Sequence, residues 1–143
     1  SAAVNKACEL ATAAGAKRAL PLAVSAPAHC GLMRPAAEQL ADELAQVTIS
    51  SPQITVIHNA DVAEHQTPAA IQAALVEQMC APVRWIETIE NCASRGISQV
   101  LECGPGKVLS ALVKRIDRQL DCQPIGDAAA ISARIEKLST ETP

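Results

Sequence analysis

Ser98-Gln99-Val100-Leu101-Glu102-Cys103-Gly104-Pro105-Gly106-Lys107-Val108-Leu109 is the stretch on which the fold turns. A short apolar run over 98–102 reads as a strand. It passes through Gly-Pro-Gly into a segment where Val108, Leu109, Leu112, Val113 and Ile116 recur on one side of a helix. A glycine-rich turn between strand and helix can present backbone N–H groups to a phosphate. A P-loop, however, needs Gly-x-x-x-x-Gly-Lys-Ser/Thr, and here Val108 follows Lys107. A dinucleotide fingerprint needs a third glycine. The plainer reading is a tight structural turn, on the sheet edge where open α/β folds place their sites.

The same alternation extends in both directions. Residues 4–14 read as a short helix with Gly15 as its stop. Residues 18–24 read as a strand, with Pro21 arguing for an edge position. A helix follows with Leu32, Ala36, Leu40, Leu44 and Val47 as its stripe and Pro35 in its first turn, then a strand over 53–59. Thr67-Pro68 starts another helix, which Pro82 ends. A helix over about 83–94 is expected to bury Trp85, Ile86 and Ile89 before Gly96, and a last strand over 123–125 precedes a helix capped by Asp127. The tail after Leu138 is expected to fray. Helices alternating with short apolar strands predict an α/β fold with a mostly parallel sheet covered on both faces.

The 143 residues suffice for one domain, and 49% apolar against 19% charged residues is a globular balance. A net charge of −3 argues against binding nucleic acid or an anionic membrane. No apolar run approaches the length of a membrane span, and no charged-then-apolar signal opens the chain. These features, with six cysteines lacking any Cys-x-x-Cys spacing, predict a cytoplasmic protein with buried, reduced thiols and neither disulfides nor bound metal. Because the first residue is Ser1 and not Met, a processed or cleaved piece is expected. Trp85 is the sole aromatic residue, so the core must be built from Ala, Leu, Val and Ile.

Chemistry-bearing residues are few. His29 closes the run Ala23-Val24-Ser25-Ala26-Pro27-Ala28-His29-Cys30, where a strand hands over to a helix. That position suits either a catalytic base or a hydrogen-bonded structural histidine. His58 follows the next expected strand and would approach the same edge, while His65 reads as solvated. Glu87, Glu90 and Glu102 read as surface carboxylates, and Arg84 as solvated or stacked on its neighbour.

Three stretches together resemble the malonyl-CoA:acyl carrier protein transacylases of fatty acid synthesis. They are Leu20-Pro21-Leu22-Ala23-Val24-Ser25-Ala26-Pro27-Ala28-His29-Cys30, Val76-Glu77-Gln78-Met79-Cys80-Ala81-Pro82-Val83-Arg84-Trp85 and Glu102-Cys103-Gly104-Pro105-Gly106-Lys107-Val108-Leu109. The resemblance covers nearly the whole chain, fading after about Gly126, and is to the C-terminal half of such an enzyme. It implies that residues 1–26 end an inserted ferredoxin-like small subdomain, as its last helix and strand. Residues 27–143 would be the C-terminal part of a large α/β-hydrolase-like acyltransferase core.

The resemblance also implies roles. His29 matches the catalytic histidine, and Gln78 matches the position whose backbone carbonyl orients it. Malonyl-CoA would be a substrate, acyl carrier protein the partner, and no cofactor or metal is implied. The family's nucleophile sits in a Gly-His-Ser-x-Gly elbow, and no Gly-x-Ser-x-Gly occurs here. The arginine that pairs with the malonyl carboxylate also lies upstream, and Arg34, Arg84 and Arg115 do not match it. The chain alone is therefore expected to be inactive, needing an N-terminal half that carries the serine. An acyltransferase domain of a polyketide synthase is the rival within the class. A non-catalytic module docking acyl carrier protein is the rival outside it, with Lys107, Lys114, Arg115 and Arg118 as a candidate basic patch.

Overall fold

The computed structural model describes residues 2–24 and 26–141, without the side chains of Leu138 and Glu141. Its centre is a parallel pair of strands, β1 (Gln99–Cys103) and β2 (Asp121–Ile125), in register from Gln99 opposite Asp121 to Cys103 opposite Ile125. Helix α5 (Val108–Ile116) connects them, giving the βαβ unit expected from the sequence. Before it come α1 (Ala2–Ala13), a 3₁₀ turn over Gly31–Met33, α2 (Arg34–Leu44), α3 (Pro68–Glu77) and α4 (Trp85–Ser94); α6 (Ala128–Glu141) follows.

Alternation along the strands sorts the helices to the two faces. Val100, Cys122 and Glu102 face α5 and α4, where Ile89, Val113, Leu120 and Cys122 form a buried cluster with Trp85, Ala93 and Ile116 against it. Gln99 belongs to the opposite face and accepts a hydrogen bond from Arg134 of α6. Pro124 is accommodated because β2 has only one strand neighbour among the described residues.

Helix ends follow their local chemistry. After α1, Gly15 (φ +92°) donates to Thr12 O at 3.0 Å and Ala16 donates to Ala11 O at 3.0 Å. After α4, Gly96 (φ +78°) donates to Ala93 O at 3.0 Å and Ile97 donates to Cys92 O at 3.2 Å. Both are Schellman closures, which need a left-handed residue that glycine supplies without steric cost. Thr67 Oγ1 accepts from Ala70 N–H at 3.3 Å and Asp127 Oδ1 from Ala130 N–H at 2.8 Å, each capping the helix that follows.

Several expectations are corrected. Residues 18–24 and 53–59 form no strand; the second contributes only an antiparallel bridge between Ile57 and Glu64. A strand requires a continuous ladder; no described segment pairs with 18–24, and 53–59 meets only Glu64. The helix after His29 is shorter than its apolar stripe, so Leu32 and Val47 lie outside α2 and are exposed. Ile86 is exposed on α4. Helix α6 continues past Leu138 to Glu141, where fraying was expected; Thr142 and Pro143 lie outside the described residues. The six cysteines are free, and against the expectation of buried thiols only Cys122 is buried, while Cys103 is exposed. The boundary proposed at residue 26 adjoins Ser25, which is also outside the described residues.

Candidate active site

His29 and Gln78 are 49 positions apart, and the fold joins them: Nδ1 of His29 lies 3.0 Å from the backbone carbonyl oxygen of Gln78. A carbonyl can only accept, so Nδ1 carries the hydrogen and Nε2 is left with its lone pair. The imidazole is exposed, leaving Nε2 accessible to a reacting group. Gln78 caps α3 at its C-terminus, where the last carbonyls lack intrahelical donors. The helix end thus supplies an acceptor from main chain and not from a side chain.

The histidine is held in an unfavourable backbone conformation, with φ at +59°. For a residue other than glycine this region costs about 1–2 kcal/mol. Such strain is found where the surrounding structure over-determines a functional side chain. Here the turn 26–30 leads at once into the 3₁₀ turn and α2, so the left-handed step redirects the chain between them. Cys30 Sγ donates to Pro27 O at 3.2 Å and closes the same turn.

Beyond Gln78 the chain is pinned by Arg84. Its N–H donates to Asn59 O at 2.7 Å, its Nη1 donates to Asp61 O at 3.1 Å, and its Nε donates to Glu87 Oε1 at 2.7 Å. Arg84 therefore ties the start of α4 to the loop over 58–63 instead of stacking. The Glu87 hydrogen bond raises its pKa further, and in return Arg84 lowers that of Glu87. In that loop Val62 has φ +60°, an outlier for a β-branched residue. Hydrogen bonds from Val62 N–H to His58 O and from His58 N–H to Ala63 O, both at 2.9 Å, hold it there.

The other histidines are elsewhere. His58, without its expected strand, sits edge-on to His65 with ring centroids 5.0 Å apart. His65 is not simply solvated: its Nε2 lies 2.7 Å from Asp61 Oδ2. Burial pushes the Asp61 carboxyl up, but the hydrogen bonds from His65 and from Ala63 N–H outweigh it and leave the pKa lowered. No metal-holding cluster of His, Cys, Asp and Glu occurs among the described residues.

Glu102, expected at the surface, is 8% exposed. Its Oε2 accepts from Ser110 Oγ at 2.6 Å and Ser110 N–H at 2.8 Å, and Oε1 accepts from Leu109 N–H at 3.0 Å. The Ser110 hydroxyl is the main cause of its lowered pKa; desolvation opposes, and the N–H groups of Ser110, Leu109 and Val108 reinforce. This carboxylate occupies the N-terminus of α5, so the first-turn N–H groups that a phosphate would need are already engaged. The Gly-Pro-Gly loop has a packing role as well. A Cβ at Gly126 would stand 2.6 Å from Gly104 O, so glycine lets the chain after β2 lie against the loop after β1. The Glu102 role was missed because nothing in a strand's alternation reveals that one inward carboxylate faces a helix end. Glu90 is exposed, and so are Lys107, Lys114, Arg115 and Arg118.

No family model matches the chain. It is 50% identical over 132 residues to a malonyl CoA-acyl carrier protein transacylase of Haemophilus influenzae, spanning 92% of this chain and 42% of that protein. It is 46% identical over 134 residues to the Escherichia coli K12 protein of the same name, covering 94% of this chain and 43% of the relative. An acyl carrier protein S-malonyltransferase from Vibrio cholerae superposes with a TM-score of 0.83 at 47% identity, over 92% of this chain and 43% of that one. A malonyl-transacylase in complex with a type II PKS acyl-carrier protein gives a TM-score of 0.87 at 47% identity, over 94% and 44%. The chain spans less than half the length of these relatives.

Proposed function

We propose that this chain, a homologue of the malonyl CoA-acyl carrier protein transacylases over more than nine-tenths of its length, supplies the histidine half of a Ser–His acyl-transfer site. The observation that carries the reading is the 3.0 Å contact between His29 Nδ1 and the Gln78 carbonyl, which fixes a tautomer with Nε2 free. Residues 1–26 would end a ferredoxin-like small subdomain. Residues 27–143 would close a large α/β core whose other part carries the serine.

In the complete site Nε2 of His29 takes the serine hydroxyl proton as the oxygen attacks the thioester carbonyl of malonyl-CoA. The imidazolium then protonates the departing coenzyme A thiolate, leaving a malonyl ester on serine. The pantetheine thiol of acyl carrier protein loses its proton to Nε2 and attacks that ester. The serine oxygen recovers the proton as it leaves. A neutral carbonyl stabilises the imidazolium less than the carboxylate of a Ser-His-Asp triad does. Water activation at the acyl-enzyme is correspondingly weaker, which favours transfer over hydrolysis. Acyl carrier protein as acceptor is supported by the carrier-protein complex among the structural relatives. The exposed Lys107, Lys114, Arg115 and Arg118 are available to an acidic carrier.

The test is complementation. The chain is mixed with the part of the H. influenzae transacylase that it does not cover, including the serine, and malonyl transfer to carrier protein is measured. Activity is expected only with both parts. His29→Ala should lower it by about a thousandfold or more, whereas Gln78→Ala, which keeps the carbonyl, should stay within roughly threefold of the parent. Near-normal transfer by His29→Ala would sink the assignment.

A further inference from the structure

Helix α3 ends at Glu77, before the Pro82 expected to stop it, and the hydrogen-bonded turns that close it stop short of the carbonyl that His29 uses. Gln78 N–H donates to Ala74 O at 3.0 Å, Met79 N–H donates to Val76 O at 3.3 Å, and Cys80 and Ala81 N–H both donate to Glu77 O, at 3.0 and 3.1 Å. The next rung would run from the N–H of residue 82 to Gln78 O. Residue 82 is proline and has no N–H. The Gln78 oxygen is therefore without that local donor, and His29 Nδ1 takes the position at 3.0 Å.

We propose that Pro82 is a positioning residue for His29: by withholding the i+4 donor, it reserves the Gln78 carbonyl for the imidazole. The inference rests on reading His29 as the general base. The helix end leaves the Gln78 carbonyl open, and the proline keeps a local donor from closing it. A backbone N–H at 82 would follow by one residue the bond from Ala81 N–H to Glu77 O, within local reach of the Gln78 oxygen. His29 must reach the same oxygen from 49 residues away, on an exposed turn with a left-handed backbone. Once the local bond forms, Nδ1–H loses its acceptor and the tautomer is no longer specified. The proline ring has a second effect, since it disfavours helical geometry at Ala81 and keeps the turn after α3 from continuing as helix. The chain then reaches Arg84, whose N–H is bound by Asn59 O at 2.7 Å.

The two effects separate by semisynthesis. Pro82→Ala restores the N–H and removes the ring. Replacing Pro82 by lactate, an ester that keeps the alanine methyl group, removes both the ring and the N–H. Nitrogen NMR of His29 in the full chain at alkaline pH, where imidazole is neutral, reports the tautomer directly. In the parent, Nδ1 should show the protonated, pyrrole-type shift. In Pro82→Ala it should move to the pyridine-type shift, with Nε2–H the majority form, and the ester should restore the parental pattern. In the complemented enzyme kcat should fall by about tenfold or more for Pro82→Ala, with KM for malonyl-CoA unchanged. An unaltered tautomer in Pro82→Ala, or an ester that behaves like alanine, would overturn the proposal. If Pro82→Ala does not fold, Pro82→Gly supplies the N–H in its place: an Nδ1–H form retained there refutes the mechanism, and its loss there with retention in the ester upholds it. Failure of the catalytic reading would look different, as normal transfer by His29→Ala with the tautomer still responding to residue 82.

Discussion

The chain divides near Trp85 into two regions that bury apolar residues very differently. From Trp85 onward Thr88, Ile89, Glu102, Ser110, Val113, Leu120 and Cys122 are buried, and every strand has a partner. Before Trp85 the one buried residue among those described is Ala37, although this region has its full share of apolar segments. Leu20, Leu22 and Val24 alternate as strand residues do, yet they are 63%, 82% and 70% exposed. Composition does not separate the two regions; the presence of a partner does. A βαβ unit brings its own ladder and its own cover, whereas an apolar run becomes a strand only when another chain segment meets its N–H and C=O groups.

The sharpest way to break this contrast is to charge the better-packed region. Val113 is completely buried at the centre of the Ile89–Leu120–Cys122 cluster. Val113→Asp places a carboxylate there without a partner, at a cost on the order of 5 kcal/mol, comparable to the whole stability of a small domain. Circular dichroism should show loss of cooperative melting. A variant that melts like the parent would mean that α4, α5 and the two strands are not the core.

Acid sharpens the same point more gently. Glu102 has its pKa lowered in the folded chain, chiefly by the Ser110 hydroxyl. Its contribution to stability is therefore complete above the ordinary carboxylate range and is lost as pH falls through the depressed folded value. Melting temperature should decline with acid in the parent. Glu102→Gln, which cannot accept as a carboxylate does, should lower Tm by roughly 5 °C near neutral pH and flatten that decline. An unchanged acid profile would show that the carboxylate does not anchor α5.

What was legible in the sequence follows the same division. Gly15, Gly96, Thr67 and Asp127 end or start helices through bonds made within a few residues, so their neighbours suffice to read them. The strand–loop–helix around Gly104 was readable because its ladder partner lies on the same unit, about 20 residues on. Residues 18–24 and 53–59 read equally well as strands and are not, because pairing is a property of two segments. Glu102 and His65 read as solvated although their partners, Ser110 and Asp61, are near in sequence, because the local turn and not the spacing decides which way each side chain faces. Composition and periodicity gave no sign of the His29–Gln78 contact; the family resemblance did, because it carried positions along with residue types.

Leu22→Asp carries the smallest expected effect and bears most directly on the comparison. In this chain Leu22 is four-fifths exposed and its backbone lies in no sheet, so the substitution removes almost no buried area. Tm should stay within about 1 °C, since surface changes away from packing typically fall within ±0.5 kcal/mol. With the complementary part of a homologous transacylase present, the same run is the one expected to join a sheet. A charge at its centre should then weaken complementation while leaving the chain's own melting untouched. Equal complementation by Leu22→Asp and the parent would show that residues 18–24 are exposed in the assembled protein too. The difference between the two regions would then be intrinsic to the sequence rather than a matter of what it pairs with.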